Sequence, residues 1–204
     1  MATGIIPSER HPLQPFLPEG ARILMLGSFP PKKERWSMDF FYPNWINDMW
    51  RIMGLIFFDD KDHFVASGKD GRKEKRFDRD RCAGFAREKG IAMYDTATEV
   101  RRLKDNASDK FLEIVTPTDI KELLEKLPEC QAVVTTGQKA TDVMTEMFGC
   151  DEPPVGGHTE LTLDEKCTRS VRFWRMPSSS RAYPLPLEKK AEHYRRMYEK
   201  ENML

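Results

Sequence analysis

The chain has 204 residues, 39% of them hydrophobic and 32% charged, a balance that excludes disordered, fibrous and disulfide-scaffold proteins. Its 33 basic and 33 acidic residues cancel, so any surface for a polyanion must be local rather than a property of the whole molecule. No apolar run approaches the ~20 residues needed to cross a bilayer, and the start Met1-Ala2-Thr3-Gly4-Ile5-Ile6-Pro7 lacks the layout of a signal peptide, so a cytoplasmic protein is expected.

A single domain over residues 1–204 is the default at this length, large enough to bury roughly 70% of its unfolded surface without a metal or disulfide staple. Residues 1–20 read as an N-terminal arm containing His11. A short apolar run, Arg22-Ile23-Leu24-Met25-Leu26-Gly27, followed by Pro30-Pro31, predicts a buried strand entering a loop. Residues 47–57 carry Met49, Trp50, Met53, Leu55 and Ile56 at helical spacing, with Asn44 or Asn47 as a cap. From 59 to 81 the chain turns to Lys, Arg, Asp and Gly and reads as a charged excursion over the surface.

A helix is predicted over 79–89, stopped by Gly90, then a strand at Ile91-Ala92-Met93-Tyr94. Thr116-Pro117-Thr118-Asp119 supplies a cap, a proline for the first helical position and a first-turn acid for a helix over 119–127. A strand at 131–137, a helix at 138–148, a strand at 168–176 and a closing helix at 187–199 complete the pattern, with no internal repeat. Strands alternating with helices predict a three-layer α/β/α sandwich around a central, mainly parallel sheet of four strands. Ligands of open α/β sheets sit at the C-terminal ends of the strands. Two loops lie there: Gly27-Ser28-Phe29-Pro30-Pro31 and Met176-Pro177-Ser178-Ser179-Ser180-Arg181.

The first of these loops leads to Phe40-Phe41-Tyr42-Pro43-Asn44-Trp45-Ile46-Asn47. Aromatic faces sandwich a planar base and amides pair with its edge, although the same residues also serve as core and helix caps. The second loop offers hydroxyls and Arg181 to phosphates, as a plain turn also would; Arg169, Arg172 and Arg175 precede it, and Lys32, Lys33 and Arg35 flank the first loop. Cys82, Cys130, Cys150 and Cys167 include no Cys-x-x-Cys pair, so incidental thiols and no metal are expected.

In order, Leu26-Gly27-Ser28-Phe29-Pro30, Phe41-Tyr42-Pro43-Asn44-Trp45-Ile46-Asn47-Asp48-Met49-Trp50, Ile91-Ala92-Met93-Tyr94-Asp95 and Met176-Pro177-Ser178-Ser179-Ser180 resemble the motifs of the uracil-DNA glycosylase superfamily. The nearest branch is that named for hypoxanthine-DNA glycosylases, and the similarity spans about residues 20 to 185. The resemblance implies a monomeric, cofactor-free enzyme without a metal, which flips a deaminated base, uracil or hypoxanthine, out of DNA and hydrolyses its N-glycosidic bond. It places Asn47, Asn44 and Ser28 at catalytic positions. Gly27, Phe29, Phe41 and Tyr42 fall around the base, and Pro177, Ser178, Ser179, Ser180 and Arg181 on the loop that presses into DNA. Asn47, helped by Asn44, would orient the attacking water.

The chain departs from the resembled pattern at four positions. Phe29 stands where many relatives have Asp or Asn, Met176 where they have His, Pro31 where they have Gly, and Trp45 where the branch has Pro. Asp48 and Asp95 are the nearest carboxylates; each has a plainer reading, as helix-dipole partner and cap respectively. Two other readings stay open: a silent module of the same fold that recognises damaged DNA, and a hydrolase of free nucleotides.

Overall fold

Three strands that are buried at every residue fix the centre of the molecule: β2 (Ile23–Gly27), β5 (Ile91–Asp95) and β8 (Ala132–Thr136). Continuous apolar strands of this kind belong in a parallel sheet covered on both faces. The computed structural model describes residues 6–104, 109–163 and 169–204. Residues 1–5 of the arm, Cys167, and Thr168 at the start of the strand expected over 168–176 lie outside them. The remaining elements are β1 (Ser8–Arg10), α1 (Met49–Phe58), β3 (Val65–Ser67), β4 (Lys73–Phe77), α2 (Arg79–Glu88), β6 (Ala97–Arg102), β7 (Leu112–Pro117), α3 (Ile120–Glu125), α4 (Gln138–Phe148), β9 (Gly157–Thr162), β10 (Ser170–Met176) and α5 (Leu187–Lys200).

The central sheet has five strands in the order β5-β2-β8-β10-β9, which corrects the expected four. The first four are mutually parallel; β9 runs antiparallel to β10, with Trp174 opposite His158. β9 escapes a sequence reading because Gly-His-Thr-Glu-Leu-Thr buries only Leu161, as an edge strand with a wet face does. Met25 pairs with Val134 and Leu26 with Thr135, so Met25 and Thr135 point to opposite faces. The Tyr198 hydroxyl of α5 donates to Met25 Sδ at 3.4 Å and to Met53 Sδ of α1 at 3.3 Å. On the other face Thr135 Oγ1 lies 2.8 Å from Thr141 Oγ1 of α4. Helices therefore cover both sides, and Trp50, Tyr194 and Tyr198 fill the side shared by α1 and α5.

Two smaller sheets were not expected. β1, β6 and β7 form an antiparallel sheet in which the arm pairs with β6, Glu9 opposite Val100. Ala97, Val100, Leu112 and Phe29 make a second, small core beneath it. The charged stretch from 59 to 81 contains the hairpin of β3 and β4, anchored by Phe64 and Phe77, each 1% exposed. Its strand Lys73-Glu74-Lys75-Arg76-Phe77 buries one residue in five, so its composition matches a loop although the backbone is paired.

The helix ends are closed by local contacts, and one differs from the expected pattern. Asp78 caps α2, its carboxylate accepting from Arg81 N at 3.0 Å, and Gly149 at φ 59° closes α4. At α3 the cap is Asp119, which accepts from Glu122 N at 3.0 Å, and Pro117 ends β7 instead of opening the helix. Thr118 is drawn away because its hydroxyl donates to Asp95 O at 2.7 Å and its amide to Thr96 O at 2.9 Å.

Candidate active site

The four parallel strands end together, at Gly27, Asp95, Thr136 and Met176, and the loops that follow them enclose a cleft of about 750 Å³. β8 separates β2 from β10 in the sheet, but the segments after them meet. Asn47 bridges Ser180, and Asp48 N donates to Ser179 O at 2.8 Å. The residues expected at catalytic, base and DNA positions all line this cleft, Gly27, Ser28, Phe29, Phe41, Tyr42, Asn44, Asn47, Pro177, Ser178, Ser179, Ser180 and Arg181, whereas Lys32, Lys33, Asp48, Arg169 and Arg172 do not: Arg169 is held by Leu124 O and Leu127 O, and Arg172 by Glu201.

The segment from Phe40 to Asn47 is held from below. Trp50 Nε1 donates to Phe41 O at 3.0 Å, and Arg51 donates to Trp45 O at 3.0 Å and Asn47 O at 3.1 Å. The Arg51 guanidinium also lies 4.3 Å over the Trp45 ring. Burial pulls its pKa down, with the Arg181 charge acting in the same direction. Tyr42 takes φ 52°, a left-handed conformation that a bulky residue adopts only when its surroundings impose it. Its hydroxyl lies 3.1 Å from Thr136 Oγ1, which donates on to Leu26 O at 3.4 Å. Burial, aided by the charge of Asp95 and opposed by the Thr136 bond, raises the phenol well above its ordinary range, so it stays neutral.

The amides turn part of themselves inward. Asn44 Oδ1 accepts from Ile46 N at 3.1 Å and Asn47 Oδ1 from Met49 N at 2.8 Å, so each oxygen serves a local turn or cap. Neither Nδ2 donates to a described residue, and both residues line the cleft. The expected aromatic platform is similarly shared with the interior. Phe41 is 4% exposed and packs edge-on to Phe40 and Tyr94; Phe29, 8% exposed, packs on the second core. Both touch the cleft at a margin.

The serine loop is tied down as well. Tyr194 donates to Pro177 O at 2.9 Å, and Ser178 Oγ and Ser180 Oγ accept from the backbone two residues on, from Ser180 N and Ala182 N. Ser179 is 2% exposed and serves the loop's interior, whereas Arg181 is exposed at the rim. Asp48 is more than a dipole partner: it caps nothing, and its carboxylate accepts from Arg181 Nε at 2.8 Å and Lys190 Nζ at 3.1 Å.

Sequence reasoning passed over His11. The arm folds back, Phe16 and Met93 exchange backbone bonds of 3.0 and 2.9 Å, and His11 Nε2 comes within 2.8 Å of Asp95 Oδ2. No local signal marks His11, whose carboxylate partner is 84 positions away. Asp95 did carry one, as a carboxylate at the C-terminal tip of a parallel strand. It is the sole acid among the described lining residues, which include five cations: Arg35, Lys110, and Arg102, Arg175 and Arg181, the last three paired with Glu9, Glu152 and Asp48. Among the described residues no group of three or more His, Cys, Asp or Glu is disposed to hold a metal ion, and no helix is long and apolar enough to cross a membrane.

These features define an open α/β protein with a positively rimmed cleft at its strand tips. The structure is similar to a solution NMR structure of a protein from Methanosarcina acetivorans provisionally described as a uracil DNA glycosylase. The TM-score is 0.59 and the identity 20%, covering 95% of this chain and 99% of that one. The chain thus shares the fold of that protein. Its sequence matches no protein-family profile and no curated protein.

Proposed function

We propose that the protein is a monomeric DNA glycosylase that flips out a deaminated base, uracil or hypoxanthine, and hydrolyses its N-glycosidic bond with protein groups alone. The observation that carries this reading is the convergence of Asn44, Asn47 and Tyr42 in a cleft with the exposed cations Arg35, Lys110 and Arg181 at its edge, the last of them paired with Asp48. Amides and a phenol suit an uncharged base, while the exposed Arg35 and Lys110 suit the phosphates on either side of it.

When the bond breaks, positive charge builds on the sugar and negative charge on the departing base. The Nδ2 donors of Asn47 and Asn44, with the backbone N–H groups of the loop at Ser28, answer the base's charge at fixed positions. The N-terminus of α4, at Gly137 and Gln138 on the cleft wall, adds a favourable dipole. Ser178, Ser180 and Arg181 hold the opened duplex. Flipping costs a few kcal/mol and least for a mispaired base, which gives lesions an advantage before any contact is read.

The test is base release from duplex and single-stranded oligonucleotides carrying uracil, hypoxanthine or xanthine. Release from at least one, lowered about 100-fold in Asn47→Ala, is the expected result. Binding without release in every case marks a silent damage-recognition module, and faster hydrolysis of free nucleosides than of DNA marks a small-molecule hydrolase.

A further inference from the structure

Hydrolysis needs a group to take a proton from the attacking water, and the residues so far placed around the base are poor at it. The amide oxygens of Asn44 and Asn47 already accept backbone N–H groups, and the first loop brings only Ser28 and the apolar Phe29. We propose that Asp95 is the catalytic base of this site and that His11 is the residue that positions it. This inference rests on the glycosylase reading.

The geometry around Asp95 divides its carboxylate into a held oxygen and an open one. Oδ2 lies 2.8 Å from His11 Nε2, and the His11 side chain is 2% exposed, enclosed by Phe29, Phe41 and Tyr94. His11 Nδ1 lies 2.8 Å from Leu13 O and 3.1 Å from Leu13 N. A charged ring donates to Leu13 O; a neutral ring accepts from Leu13 N. In both of these forms Nε2 carries the proton and donates to Asp95 Oδ2; the Nδ1–H tautomer would instead set the bare Nε2 against the carboxylate, which disfavours it. Oδ1, in contrast, accepts no hydrogen bond from any described residue, and Asp95 lines the cleft.

Gly27 makes room for that open oxygen. Gly27 and Asp95 are partners in the parallel register of β2 and β5, and a Cβ on Gly27 would stand 2.3 Å from Asp95 Oδ1. A side chain of any kind at the tip of β2 would thus occupy the place where the carboxylate faces the cleft. The absence of one is the feature expected if the carboxylate has to reach a bound molecule.

The step balances without a further reactant. The water oxygen bonds to C1′ of the sugar, the C1′–N bond breaks with its electron pair departing on the base, and the water's proton passes to Asp95 Oδ1. The departed base takes a proton from solvent, and the protonated carboxyl returns one to solvent. Before bond formation the same negative carboxylate stabilises positive charge on the sugar.

The plain alternative is that the pair is a staple for the N-terminal arm. Single-turnover release of the base from the best lesion duplex separates the two, measured with Asp95→Asn, His11→Ala and His11→Gln beside the native protein. We expect Asp95→Asn to lower the maximal rate by about 100-fold or more, with duplex affinity within about twofold. His11→Ala should lose about tenfold, and His11→Gln, whose amide can still donate to Oδ2, should recover most of it. An Asp95→Asn protein whose near-ultraviolet circular dichroism is native and whose rate falls less than threefold, while Asn47→Ala is strongly impaired, overturns the inference and leaves the glycosylase reading standing. Parallel loss of affinity and rate in Asp95→Asn marks a staple and also overturns it. A native protein that releases no base from any substrate removes the glycosylase reading and this inference with it.

Discussion

Lys190 Nζ stands 3.1 Å from Asp48 Oδ2 with both side chains almost sealed from water, 1% and 8% exposed, although 142 positions separate them. Lys190 also donates to Ser180 O at 2.8 Å, and Arg181 supplies a second cation to Asp48. Through these bonds α5, the head of α1 and the serine loop are locked together beside Asn47. A buried ion pair adds little net stability, but it imposes one arrangement on the groups that make it and strands either partner when the other is removed.

Asp48→Ala should therefore destabilise the protein by about 3–5 kcal/mol, because the Lys190 ammonium is left buried without its counter-charge. Urea unfolding of the two proteins measures it. A loss under about 1 kcal/mol would mean that the ammonium finds water or another acceptor in the variant.

Asn47 carries two separable duties, a helix cap through Oδ1 and a donor through Nδ2. Asn47→Ala should cost about 1 kcal/mol of stability from the lost cap. It should also lower base release about 100-fold, from the lost donor. Asn47→Asp keeps an acceptor for Met49 N, so its stability should stay within about 0.5 kcal/mol of native at pH 7 while its activity falls as far as that of the alanine variant. Equal activity in Asn47→Asp and the native protein would remove the donor role.

Arg35 and Lys110 are exposed at the cleft edge. If they meet phosphates, alanine at either should weaken DNA binding by a similar factor for every sequence and lesion, and lower the slope of log affinity against log salt by about 0.9. Titrations by fluorescence anisotropy between 50 and 200 mM salt, roughly the range over which such slopes are resolved, make the measurement. An unchanged slope would place the duplex elsewhere.

Alkaline pH should unfold the protein through its buried phenols. Burial raises the pKa of Tyr42, Tyr194 and Tyr198 above the ordinary value of 10.0, so above that pH the unfolded chain gives up protons that the native state keeps. The stability they contribute is complete below pH 10 and falls as the pH rises further, by about 1.4 kcal/mol per unit for each phenol. The Cys130 thiol, pushed up to about 11 chiefly by burial, adds to the decline from its ordinary value of 9.0. Denaturation free energies that stay level from pH 9 to 11 would contradict this.

The parallel centre of the fold was readable because β2, β5 and β8 are buried at every residue and mostly apolar, and a strand with two dry faces writes that fact into composition. The helix expected over about 138–148 is α4, Gln138–Phe148. The antiparallel additions were not readable. β1, β6, β7 and β9 each have a wet face, and runs such as Ala97-Thr98-Glu99-Val100-Arg101-Arg102 acquire their structure from partners rather than from their own pattern.

The candidate site divides in the same way. By itself the sequence determined which residues stand in the loops at the strand tips, Gly27 to Phe29, Phe41 to Asn47 and Pro177 to Arg181, because turn chemistry and strand ends are local properties of the chain. Only the tertiary structure decided that His11 meets Asp95 and that Lys190 meets Asp48. Pairings across 84 and 142 positions depend on how separate segments dock, and a buried charge has no local signature until its partner arrives.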